Sequence, residues 1–181
     1  MTIVLEAALG PESSTTGQLG DDARVARIVA SPEWEVREES FLAGITFQVG
    51  NLLLNRNRAP VIDFAMSLRS ALDILVIDGV SELKFQGTTD RIRFSLMGDL
   101  VEIRASYAKG VATCSFVSIR RAALIFARDS LDRITEAAPG LLKNGFVEYL
   151  YRDFAVREKG EEQFRRHDMV MADIYGRSTD G

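Results

Sequence analysis

The chain reads as an α+β protein: an antiparallel sheet of about six strands with two to three C-terminal helices packed on one face. Three observations predict this. Apolar and polar residues alternate across 81–117, turn signals divide that stretch into short runs, and apolar residues recur at helical spacing before and after it.

From the start of the chain, residues 10–23 are rich in Gly, Ser, Thr and Asp, so 1–23 reads as a partly mobile leader. Ile3–Leu5 can add an edge strand. Arg24–Ala30 and Trp34–Glu39, on either side of Ser31-Pro32, read as two short extended segments around a turn. Residues 42–54 fit both helical and strand spacing; Gly50-Asn51 between apolar runs favours a hairpin of Ile45–Val49 and Leu52–Leu54. Asn55–Pro60 reads as a polar connector. Pro60 suits the first turn of a helix over 60–77, whose stripe is Ile62, Ala65, Met66, Leu68, Leu72, Leu75 and Val76, and Asp78-Gly79 ends it.

The meander occupies 81–117, with strands Ser81–Gln86, Arg91–Leu96, Leu100–Ser106 and Val111–Val117. A two-residue Gly98-Asp99 turn pairs Leu96 with Val101, Phe94 with Ile103 and Ile92 with Ala105. A four-residue Gly87–Asp90 turn pairs Phe85 with Ile92 and Leu83 with Phe94. Inward then meets inward throughout, which a one-residue slip would destroy. Ala112, Cys114 and Phe116 face inward on the fourth strand. Ser118 is expected to cap a helix to Ala138, Pro139-Gly140 to break it, and Phe146–Arg157 to form the next. The domain is expected to span 24–157, with 158–181 a charged tail in which Phe164, Met169, Val170 and Met171 suit a last amphipathic helix and GRSTDG an unstructured end.

The composition sets limits on function. Of 181 residues, 46% are hydrophobic and 27% charged, with net charge −4, which does not favour nucleic acid or an anionic membrane. The outward faces of the meander also lack the aromatic residues an RNA-recognition sheet needs. There is no signal-peptide pattern and no apolar run of membrane-spanning length, so the cytoplasm is the expected compartment. The one cysteine, Cys114, precludes an intrachain disulfide or a cysteine-cluster metal site, and its inward position reads as a buried thiol. The one histidine, His167, stands in a charged tail with no nucleophile motif. Phosphate-binding glycine loops and calcium loops are absent, and neither cofactor nor metal is expected.

Two surface features remain. The expected register sets Lys84 opposite Arg93 and Arg93 opposite Arg104, a row of three like charges that a sheet does not favour. Glu82 and Glu102 relieve the row diagonally, so an ordinary solvated face competes with an anion-binding strip or a contact for an acidic partner. Glu33, Glu35, Glu38 and Glu39 beside Trp34 read as a solvated face or as an acidic docking edge, with Trp34, Glu35 and Glu38 the contact residues.

The thin catalytic inventory makes a non-enzymatic protein-binding module the leading expectation. Its general profile is similar to that of bacterial toxin-neutralising immunity proteins, a resemblance of size and composition. A small-ligand binder or carboxylate enzyme with a pocket between helix and sheet is the alternative, and a homo-oligomer joined through a sheet edge is the third.

Overall fold

The computed structural model describes residues 3–8, 22–85 and 87–154. Residues 1–2 and 9–21 of the expected leader, Gln86, the end of the expected Phe146–Arg157 helix from 155 on, and the expected tail helix, His167 and GRSTDG lie outside the described residues. Among the described residues the class is α+β, with seven strands in two antiparallel sheets of three and four.

The first sheet has the order β1 (Ile3–Ala8), β2 (Leu42–Val49), β3 (Leu52–Pro60). The expected hairpin is present, with Val49 facing Leu52 across Gly50-Asn51. Residues 55–60, expected as a connector, continue β3. They hold the strand because a bulge lies there: Ala43 faces Ala59 but Ile45 faces Arg56, so Asn57 and Arg58 together oppose Gly44. The extra residue switches the parity of β3. Leu52 and Leu54 point inward before the bulge and Ala59 after it. Arg56 therefore lies on the inward side of the strand.

The segments expected as extended around Ser31-Pro32 are helices, α1 (Asp22–Ala30) and α2 (Glu33–Glu38). Val25, Ile28 and Val29 follow i, i+3, i+4 spacing, and Pro32 precedes the first turn of α2, where acidic Glu33 and Glu35 suit the helix dipole. Asp22 and Ala23, expected in the leader, belong to α1.

Helix α3 (Val61–Asp78) follows β3 directly, and Gly79, with φ 72°, closes it in the left-handed conformation while its N–H reaches Leu75 O at 2.9 Å. Of the expected stripe, Ile62, Ala65, Leu68, Leu72 and Leu75 are buried, Met66 is half-buried and Val76 faces outward, while Val61, Asp63, Phe64 and Ala71, outside that stripe, are buried as well. The second sheet runs β4 (Val80–Lys84), β5 (Arg91–Met97), β6 (Leu100–Ala105), β7 (Ala112–Ser115). Phe94 faces Ile103 and both are fully buried, as the Gly98-Asp99 turn requires. Helix α4 (Phe116–Ala137) is capped by Ser115, not Ser118: the Ser115 hydroxyl accepts the N–H of Ser118 at 3.1 Å, three residues on. Phe116, expected as an inward strand residue, is accordingly the first residue of the helix. A 3-10 turn (Pro139–Lys143) leads to α5 (145–154).

Helices α3 and α4 pack on each other; α3 also packs on β4 and β5, and α4 on β1. One hydrophobic core joins all these elements. Asn144 ties its edge together. The buried amide donates to the carbonyls of Ile28, Val29 and Ser31, each at 3.1 Å, while its oxygen accepts the N–H groups of Phe146 and Val147. One side chain thus closes the C-terminus of α1 and caps α5.

Candidate functional site

The first turn of the meander departs from the expected register. Leu83 faces Ile92, Ser81 faces Phe94, Glu82 faces Arg93 and Lys84 faces Arg91. The loop is wider than Gly87–Asp90, because Phe85 and Asp90 leave the strands while Phe85 N still donates to Asp90 O at 3.2 Å. A two-residue shift keeps every apolar face and changes every charged partner. The Lys84–Arg93–Arg104 row is therefore replaced by two directly opposed cation pairs, Lys84–Arg91 and Arg93–Arg104.

The reason lies in what Phe85 and Asp90 contact. The Phe85 ring stacks near Phe64 of α3 at 6.1 Å and meets Tyr107 edge-on at 6.0 Å, and Phe64 meets Phe126 of α4 at 5.6 Å. The Arg56 guanidinium lies over both outer rings, 4.3 Å from Phe85 and 4.5 Å from Tyr107, and forms an ion pair with Asp90. Alternation from Leu52 and Leu54 thus presents a cation to an aromatic clamp that joins the two sheets. Arg56 Nε and the Tyr107 hydroxyl are buried without a hydrogen-bond partner. Burial pushes the Tyr107 phenol up, and the charge of Arg56 offsets this only in part.

Beside this clamp a cavity of about 170 Å³ opens between β3, the start of α3 and the end of β4. Its walls include Arg56, Arg58, Asp63, Phe64, Leu83 and Lys84. Asp63 is engaged from the far side by Arg37 of α2 at 2.6 Å.

The other outward face of the meander is open. Val80, Glu82, Lys84, Arg91, Arg93, Met97, Leu100 and Arg104 are all exposed on it. Its rows run from an apolar end, with Met97 beside Leu100 and Val80 one row on, to the cationic end. Glu82 reaches Arg91 at 3.9 Å and Glu102 holds Arg104 at 2.7 Å. That contact, with the charges of Arg104 and Arg93, holds the Glu102 carboxyl below its ordinary value against the opposing cost of desolvation. Among the described residues, Arg93 and Lys84 have no carboxylate within ion-pair distance, and neither α4 nor α2 supplies one.

The acidic run lies elsewhere. Trp34 is 55% exposed on α2, Glu35 is paired with Arg27 at 3.2 Å, and Glu38 is half-buried. The structure does not bring these residues to the meander face as one strip. Cys114 is buried, and desolvation pushes its thiol up to about 11, so it carries no thiolate at neutral pH. Among the described residues no three Asp, Glu, His or Cys side chains converge as metal ligands, and no helix is long and apolar enough to cross a membrane. Sequence reasoning missed Arg56, whose only sequence signal was an arginine in phase with Leu52 and Leu54. Comparison with protein-family models, curated proteins and solved structures finds no match to the chain.

Proposed function

We propose that the protein is a non-enzymatic binding module that docks an acidic protein partner on the open face of β4–β7. The observation that carries this reading is the retention of two like-charged cross-strand pairs, Lys84–Arg91 and Arg93–Arg104, on an exposed face. Such pairs disfavour the isolated sheet. Carboxylates from a partner would convert them into charge-assisted hydrogen bonds. The exposed Val80, Met97 and Leu100 at the other end of the face supply apolar contact, so cations and apolar residues form one continuous surface. Neutralisation of a toxin-like partner is one form such binding would take, following the resemblance in size and composition. Trp34, Glu35 and Glu38 belong to another surface and are not required.

The test is a quantitative pull-down from the source cells with wild-type, Arg93→Glu and Met97→Asp baits across a salt series. The reading requires a protein retained by the wild type, released by rising salt and lost from both variants. If every species captured is held equally by all three baits, the open face is not a docking surface.

A further inference from the structure

We propose a second site: the cavity between β3, α3 and β4 binds a small organic anion, with its carboxylate or phosphate between Arg58 and Lys84 and its apolar body against Phe64, Leu83 and Phe85. Four observations meet there. The wall carries three cations, Arg56, Arg58 and Lys84, and one acid, Asp63, in a chain whose net charge is −4. The acid is already engaged by Arg37, and Arg56 by Asp90 and the two rings, which leaves Arg58 and Lys84 with no carboxylate within ion-pair distance among the described residues. The floor is apolar and rigid, because Phe64 and Leu83 are buried in the core and Phe85 is held between Phe64 and Tyr107. Finally, α3 begins in this wall at Pro60 with no side-chain cap, so the positive end of its dipole adds to the field of the cations.

The chemistry follows from size and charge. At about 170 Å³ the cavity is smaller than the ~300–1,000 Å³ pockets that take drug-sized ligands, so it suits one ring or a short chain. Arg58 offers a planar fork of donors and Lys84 a compact ammonium, and both carboxylate and phosphate match that pair.

The test uses benzoate, phenyl phosphate, inorganic phosphate and benzylamine in isothermal titration against the full chain. Saturable binding of benzoate or phenyl phosphate, with inorganic phosphate weaker and benzylamine silent, supports the site, and the preferred aromatic anion identifies the head group. Arg58→Gln and Lys84→Gln, both at exposed positions, should each weaken that binding by about tenfold or more, the loss of one charge-assisted hydrogen bond. Arg93→Glu should leave it unchanged, which separates this site from the docking face, with which it shares Lys84. The proposal is overturned if neither aromatic anion saturates, if benzylamine binds as well as benzoate, if Arg58→Gln has no effect, or if Arg93→Glu abolishes binding.

Discussion

Arginines serve the two sheets in opposite ways. In β3 the inward positions before the bulge end on Arg56, which lies over Phe85 and Tyr107. In β5 and β6, Arg93 and Arg104 follow unbroken alternation and stand outward. The first arrangement removes a cation from water and compensates it with Asp90 and two ring faces. The second leaves cations hydrated beside one another, where each costs little and remains open to a partner. The same residue type is therefore a fastener between sheets in one region and a contact surface in the other, and strand parity decides which.

The largest effect should come from beneath the meander. Phe94 and Ile103 form a fully buried cross-strand pair, so Phe94→Ala should cost about 4 kcal/mol in chemical denaturation. A cost below about 1 kcal/mol would mean that the outward positions of Arg93 and Arg104 are wrong as well, because they follow from the same alternation.

Cys114 probes the same core by pH. Its folded thiol is pushed up to about 11, above the ordinary unfolded value of about 8.5, so the folded state holds the proton more tightly. The sign is then set. The contribution is complete below about pH 8.5 and falls as pH rises toward about 11, by about 3 kcal/mol in total. Other groups titrate in this window, so the measurement is the difference in alkaline slope between wild type and Cys114→Ala. Equal slopes would contradict burial of the thiol.

The fastener is the next test. Arg56→Leu keeps an apolar side chain under the rings and removes the cation from Asp90. It should cost about 2 kcal/mol, more than any outward arginine of β5 or β6, because a partly buried ion pair and two cation–ring contacts are lost together. A cost no larger than that of Arg93→Ala would remove the distinction between the two regions.

These elements also mark where the sequence was legible. Alternation and the Gly98-Asp99 turn sufficed for β5 and β6, since a tight turn and a one-sided core leave one register. They did not suffice for β4. A two-residue shift keeps the apolar faces aligned, and the choice was made by Phe85 and Asp90 leaving the strands for Phe64 and Arg56, contacts between residues far apart in the chain. The bulge at Gly44 was hidden for the same reason: a parity switch between Arg56 and Ala59 has no local marker. Around Ser31-Pro32, a proline that opens a turn and one that precedes a helix look alike locally. Packing of α1 beside the 3-10 turn and of α2 on α3 settled that region. The candidate cations were legible as residues; their pairing, and the cavity beside Lys84, were not.

The smallest expected effect discriminates best between the two registers. In the observed one, Arg93 stands between Glu82 and Arg104. Arg93→Glu makes one cross-strand pair repulsive and the other attractive, so the melting temperature should move by less than about 2 °C. Lys84 stands opposite Arg91 at the edge of the sheet. Lys84→Glu converts a repulsive pair into an attractive one and should raise the melting temperature by about 1–2 °C. With a four-residue turn the order would reverse, because Arg93 would oppose two cations and its reversal would relieve both. A thermal melt of the two single variants at low salt, repeated at high salt where both shifts should shrink, decides the matter. A gain for Arg93→Glu that exceeds the gain for Lys84→Glu would restore the three-cation row and move the centre of the proposed docking face onto Arg93.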